Sequence, residues 1–468
     1  MSHLNEAIIR DFLNRTCDAS SERPPSNIIY DFNSVRMLLA KAHLTPGSLV
    51  LVCLPNSSRL LHAFLAIALE GCVPALLQTL LPRERLRYLE KTLPANSVLE
   101  VRSHVERGGY SSVVRAGQLQ LSVLETDRPP VTDPGEVVMM TSGTSGIASA
   151  CVFDLDQLFR NGVRHAKTIG QRARDRVLVT LPLCFSFALV AQALATWEAV
   201  GQVIIDGPPF ARSAYFSAIR NNCITVSSLT PVLVRKLLSV HAEGGKIWPR
   251  VLTVGGDVFT EYDAQELLDR ASSSELYVTY GLTQAGPRVT TLPAHNEPRS
   301  KLGSIGLAIE GTSLRLRDSA FPDQEGRELL VASDTVMKRR IGHIEGYAGD
   351  WSSPGVLATG DLVSCDNDGY FYYQGRICEY VVIGGEKANL SSVRRLACEV
   401  PDVVKAKTEL LRGPDGVIRG YELLVEAATD DGSGVTNAVT RHLKEMLRPS
   451  EMPIRVSLAD RTGVAAYK

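Results

Sequence analysis

The chain has 468 residues, 44% hydrophobic and 22% charged, with 50 Lys and Arg against 51 Asp and Glu. That length predicts two or three domains with cores of their own, and the composition excludes a disordered or fibrous chain. A net charge of −1 excludes the basic footprint of a nucleic-acid or anionic-membrane binder. The nine cysteines form no Cys-x-x-Cys pair, so they read as reduced thiols of a cytoplasmic protein, with neither a disulfide framework nor a zinc site. The longest apolar run, Leu60 to Leu77, is broken by His62, Glu70, Gly71 and Pro74; it predicts a buried helix and a strand, not a membrane span.

In chain order, Ser48–Leu54 predicts a strand, Ser57–Glu70 a helix and Val73–Leu77 the next strand. Such alternation predicts a parallel or mixed sheet covered on both faces. The loop Pro129–Gly135 leads into a buried strand, Glu136–Met140. A strand at Arg176–Leu181, a helix over about Val190–Val200, a strand at Gln202–Ile205, a helix at Pro231–Val240 and a strand at Val251–Val254 follow. From about residue 300 the runs Ser313–Arg317, Glu328–Val331 and Tyr370–Tyr373 turn the texture β-rich. Near the end, strands Val403–Leu411 and Val417–Val425 flank the turn Gly413–Gly416. A helix then sets Val435, Val439, Leu443, Met446 and Leu447 on one face and stops before Pro449. The fold class is α/β. A large N-terminal domain, 1–376, holds layered α/β subdomains and a β-rich subdomain from about residue 300, and a small α+β domain spans 377–468.

The segment Met140–Ile147 is a hydroxyl- and glycine-rich loop directly after a buried strand. Glycines let backbone N–H groups converge and Ser/Thr hydroxyls add donors, which suits the phosphates of a nucleotide as well as it suits a surface turn. No Gly-Lys-[Ser/Thr] follows, so it is not a Walker loop.

Further segments follow in a fixed order: Val254-Gly-Gly-Asp257, Tyr280-Gly-Leu-Thr-Gln284, Ala358-Thr-Gly-Asp-Leu362, Gly375-Arg376, Gly384-Gly-Glu-Lys387 and Arg461–Lys468. In this order the chain resembles the adenylate-forming superfamily of acyl- and aryl-CoA synthetases, nonribosomal-peptide adenylation domains and luciferase. The resemblance implies ATP- and Mg²⁺-dependent conversion of a small carboxylic acid to an acyl adenylate, then transfer to the thiol of coenzyme A or a phosphopantetheinyl carrier protein. It implies that Thr141, Ser142, Gly143, Thr144, Ser145 and Gly146 hold the β- and γ-phosphates. Gly255, Gly256, Asp257, Tyr280 and Gly281 would line the adenine site, and Thr283 would meet the α-phosphate. Asp361 and Arg376 would take the ribose, Gln284 the metal, and Lys468 would be the catalytic lysine. It also implies a small C-terminal domain that pivots near Cys378, presenting Lys468 for one step and the 384–387 loop for the other.

The chain departs from the family at four places. Ala148-Ser149 replaces a Pro-Lys pair, Gln284 a glutamate and Cys378 the usual hinge Asp or Lys, and Lys468 stands further from Gly463 than the pattern has it. Each lost anion contact typically costs a hundredfold or more in rate. An amide synthetase and a catalytically impaired acyl- or nucleotide-binding relative are therefore the alternatives. Ser186 stands where amino-acid-activating relatives have the Asp that pairs with the substrate ammonium, which predicts an acid without an α-amino group. Phe185 and Phe187 predict an apolar or aryl body, and the resemblance implies that Val254, Thr279 and Arg288 also approach the substrate, Arg288 toward an acidic or hydroxylated end.

Overall fold

The computed structural model describes residues 5–19, 26–79, 81–102, 109–125, 129–141, 149–238, 247–318, 327–342, 351–353, 355–376, 380–383, 386–400, 402–413, 418–427 and 433–459. The chain divides into two compact units: one of Met1–Thr79, Pro94–Met140 and Ala150–Ile377, the other of Leu80–Leu93, Thr141–Ser149 and Cys378–Lys468.

The larger unit is built on two eight-stranded sheets and one five-stranded sheet. In the first, Leu49–Cys53 pairs in parallel with Val73–Leu76 and Ser97–Val101, and Glu136–Met140 lies beside Val73–Leu76 and antiparallel to Ser149–Asp154. Leu49, Val50, Leu51 and Val52 are all fully buried, as a strand covered on both faces requires. The second sheet runs Thr16–Asp18, Gln202–Ile205, Arg176–Val179, Val226–Leu229, Val251–Gly255 and Glu275–Gly281 in parallel, then antiparallel Arg288–Leu292 and Leu307–Ala308. One apolar cluster joins Val50 and Val52 of the first sheet to Val203 and Ile205 of the second through Phe64 and Phe159, so helices Ser58–Leu69 and Leu155–Thr168 fill the layer between them. The mixed α/β architecture expected from the sequence is observed.

The β-rich texture after residue 300 becomes an antiparallel sheet of Thr312–Arg317, Arg327–Ser333, Val356–Cys365, Trp351–Ser353 and Phe371–Arg376. The helix expected at about Val190–Val200 begins earlier, at Ser186, and runs to Glu198 with a π-helical turn, Leu189–Leu194, in its middle. Apolar periodicity does not register such an insertion, because every residue of that turn is buried.

The smaller unit has its own core. Strands Val403–Arg412, Ile418–Ala427 and Arg455–Leu458 form a sheet, and Val435, Val439, Leu443, Met446 and Leu447 bury their expected face in a cluster with Tyr421, Leu423 and Val425. Helix Arg83–Thr92 belongs to this unit although it is far away in sequence: Arg85 Nη1 lies 3.0 Å from Glu451 Oε2, and Tyr88 packs on the same cluster.

Candidate active site

The carboxyl ends of the second sheet and the turns after them carry most of the predicted site. Strand Val251–Gly255 packs so closely on its neighbour that a Cβ on Gly255 would lie 2.4 Å from the Thr279 carbonyl oxygen. Gly256 follows at φ +90°, a conformation glycine adopts without strain. Thr279 donates its hydroxyl to the Val254 carbonyl at 3.1 Å, and Val254 is fully buried in a core cluster, so both hold the two strands in register. Asp257 accepts from the backbone N–H of Val258 at 2.8 Å.

At the end of strand Glu275–Gly281, a Cβ on Gly281 would lie 2.0 Å from the Pro287 carbonyl oxygen, which in turn accepts from Leu282 N–H at 3.0 Å. The chain folds there into the single turn Thr283–Ala285, which two residues of the β-rich region fix from outside, in a segment that Gln157 holds in turn. Met337 N–H donates to the Gln284 carbonyl at 2.9 Å, Thr335 Oγ1 donates to the Ala285 carbonyl at 3.1 Å, and Gln157 Nε2 holds the Val336 carbonyl at 2.9 Å. Gln284 itself is buried.

Two side-chain contacts draw distant motifs together. Tyr280 donates its phenol to Asp361 Oδ2 at 2.7 Å across 81 residues. Ser186 Oγ lies 3.1 Å from Thr283 Oγ1 across 97 residues. Asp361 is buried, and the turn before it is fixed by Thr359 Oγ1, which accepts from Asp361 N–H at 3.0 Å, and by Glu328 Oε1, which accepts from Gly360 N–H at 3.1 Å. Arg376 lies opposite Asp361 in the strand register; its side chain is outside the described residues. Thr141 directly follows strand Glu136–Met140, while Ser142, Gly143, Thr144, Ser145, Gly146, Cys378, Gly384 and Lys468 fall outside the described residues.

Phe185 precedes the helix that begins at Ser186, and the Phe187 ring, packed on the main apolar cluster, lies beside both Gly256 and Arg288. A Cβ on Gly256 would lie 3.6 Å from Phe187 Cδ1, and the guanidinium carbon of Arg288 sits 3.9 Å from the Phe187 ring centroid. Arg288 is 3% exposed, and burial lowers its pKa to about 9, which leaves it cationic at neutral pH. Asn161 grips the Arg288 backbone from both sides, accepting from its N–H at 2.9 Å and donating to its carbonyl at 3.0 Å. One helical turn further, His165 is fully buried; burial and then the charge of Arg288 hold it neutral, well below the usual imidazole range. Asn161 and His165 stand outside the motifs named above. Their i,i+4 spacing is readable only once the helix Leu155–Thr168 is recognised, from the periodicity of Leu155, Leu158, Phe159, Gly162 and Ala166.

Glycine-lined backbone at 255–256, a buried carboxylate at Asp361 and paired hydroxyls at Ser186 and Thr283 together suit a nucleotide and an acyl group brought side by side. The family described as "AMP-binding enzyme" matches residues 32–339. The chain is an AMP-binding enzyme of the adenylate-forming superfamily. It is 25% identical over 436 residues to 2-succinylbenzoate–CoA ligase of Bacillus licheniformis, covering 89% of this chain and 87% of that one. It is 26% identical over 461 residues to the fatty acid–[acyl-carrier-protein] ligase MmaC of Mycobacterium marinum, covering 89% and 84%. The amide bond synthetase McbA of Marinactinospora thermotolerans shares the fold with a TM-score of 0.74 at 19% identity, covering 98% of this AMP-binding enzyme and 96% of McbA.

No helix among the described residues is long and apolar enough to cross a membrane. Among the same residues no cluster of three His, Cys, Asp or Glu is placed to hold a metal.

Proposed function

We propose that this AMP-binding enzyme converts a carboxylic acid lacking an α-amino group to its acyl adenylate and passes the acyl group to the thiol of a phosphopantetheinyl carrier protein or coenzyme A. The observation that carries the reading is the contact of Ser186 with Thr283. The pair is neutral, and with Thr283 assigned to the α-phosphate by the resemblance it supports an acid that brings no ammonium to be balanced. The cationic Arg288 nearby supports the exclusion of an ammonium, which would find repulsion rather than a partner.

In this reading ATP supplies the phosphoryl electrophile and the pyrophosphate leaving group. Gly255, Gly256, Asp257, Tyr280 and Gly281 shape the base site, Asp361 and Arg376 take the ribose hydroxyls, and Thr141 to Gly146 meet the outer phosphates. Thr283 donates to the α-phosphate, with Ser186 fixing its rotamer. Gln284 would offer one neutral oxygen to a Mg²⁺ that the nucleotide phosphates would otherwise hold, as suits a cation that dehydrates reluctantly. Lys468 neutralises the reacting anions, and the smaller unit carries it about a hinge near Cys378, where the division between the two units falls. The free thiols at Cys17, Cys53, Cys72, Cys151, Cys184, Cys223 and Cys365 support a reducing, cytoplasmic setting.

Acid-dependent ATP–pyrophosphate exchange followed by thioester analysis tests the reading. Exchange with non-amino acids and thioester on a pantetheinyl thiol is the expected result. Exchange with transfer only to amines moves the assignment to an amide synthetase, and no exchange with any acid together with no ATP binding overturns it.

A further inference from the structure

Arg288 is a buried cation for which the described residues supply no anion. Its Nε and Nη2 atoms are buried without a hydrogen-bond partner, and burial alone acts on its charge. A guanidinium removed from water and left unpaired is destabilising, and an apolar side chain of similar volume would be more stable there. The site is nonetheless rigidly built. Asn161 fixes the arginine backbone from both sides, and the guanidinium carbon lies 3.9 Å from the Phe187 ring centroid, a cation–π contact that uses none of its N–H donors.

A second set of unused polar atoms adjoins it. Both ring nitrogens of His165 are buried without partners, and the imidazole is close enough to Arg288 to feel its charge. Native proteins leave few such atoms, and several around one uncompensated charge indicate a ligand group that completes them. Position identifies the ligand. Phe187 follows Ser186, whose hydroxyl meets Thr283, so the guanidinium stands one aromatic ring away from the point at which the acid is activated.

We propose that the activated acid carries a second anionic group, a carboxylate or a sulfonate, separated from the reacting carboxylate by an apolar or aryl spacer, and that Arg288 captures it with His165 as a neutral hydrogen-bonding neighbour. This rests on the adenylating reading above. Phe187 packs the spacer, the anion accepts from the unused guanidinium N–H groups, and one imidazole nitrogen donates to it. A monoacid leaves the arginine desolvated and unpaired, which is the situation in which a site rejects an analogue most strongly.

Pyrophosphate exchange with the full chain tests this on matched probes: adipate against monomethyl adipate and hexanoate, isophthalate against benzoate, and 3-sulfobenzoate as the sulfonate arm. The expected result is a kcat/KM for the dianionic member at least about a hundredfold above its monoanionic match. Arg288→Met should erase the preference through KM, while Arg288→Lys keeps part of it. A readout independent of turnover is thermal unfolding without ATP. The preferred dianion should raise Tm of the unaltered protein and not of Arg288→Met, whose own Tm should equal or exceed it because an unpaired charge has been removed. Exchange with monoacids as good as with dianions, or a preference that survives Arg288→Met, overturns the inference and leaves the adenylating reading standing. Exchange with no acid at all, with ATP also failing to raise Tm, brings down both.

Discussion

The phenol of Tyr280 and the carboxylate of Asp361, 81 residues apart in the chain, are joined by a 2.7 Å hydrogen bond that ties the end of a parallel strand to the β-rich sheet. Removing the phenolic hydroxyl leaves a buried carboxylate one donor short. Tyr280→Phe should therefore lower stability by about 1–3 kcal/mol while ATP KM rises modestly. Asp361→Ala should reverse that balance, with a KM for ATP raised about a hundredfold or more, because it deletes the acceptor itself. Paired Tm and exchange kinetics on the two variants check this.

The Ser186–Thr283 contact predicts unequal effects from two small changes. Thr283→Val removes the donor assigned to the α-phosphate and should lower kcat for adenylation by about a hundredfold or more, with KM for the acid little changed. Ser186→Ala removes only the group that orients Thr283 and should cost about tenfold. Equal losses would assign both hydroxyls the same role.

Glu136 gives a pH-dependent prediction far from that chemistry. Burial raises its pKa, but Arg339, Lys338 and the Asp133 N–H all bond the carboxylate and bring it down to about 2. A folded-state pKa below the unfolded one adds stability that is complete above the unfolded value, near 4.5, and lost as pH falls toward 2. Glu136→Gln should be less stable by about 3 kcal/mol at pH 7. The Tm gap between the variant and the parent should narrow progressively below pH 4.5. A gap constant down to pH 3 would remove the ion pair as its cause.

Two glycines predict opposite signs. Gly281→Ala places a methyl 2.0 Å from a backbone oxygen at the turn that carries Thr283 and should cost about 2–4 kcal/mol and most activity. Gly434 lies exposed in helix Ser433–Met446 with open space around its Cα, so Gly434→Ala should stabilise by about 0.5–1 kcal/mol. Chemical denaturation midpoints at constant m-value decide both.

The alternation of apolar runs made the layered sheets legible because a strand buried on both faces, such as Leu49–Cys53, advertises itself in every residue. The motifs were legible for a related reason: glycines at 255 and 281 stand where backbone presses on backbone, and no other residue fits. What the sequence concealed depends on distance along the chain. Helix Arg83–Thr92 exposes no sign that it belongs with residues beyond 378, since its links include the pair Arg85–Glu451 and the packing of Tyr88, neither of which a sequence pattern announces. His165 carries no signal of its own in the sequence, because an unpaired imidazole differs from a paired one only through its neighbours. Arg288 was legible as a pocket residue, but its lack of a counter-ion was not.

The turn Thr283–Ala285 is three residues long and cannot hold a shape by its own hydrogen bonds. Its stiffness is borrowed from Thr335 and Met337, in a segment outside every recognisable motif, which is itself moored by Gln157 through Val336. Local fraying at 335–337 would therefore silence Thr283 with the fold otherwise intact. Amide hydrogen exchange in that short segment would report on catalytic competence before any bulk unfolding signal does.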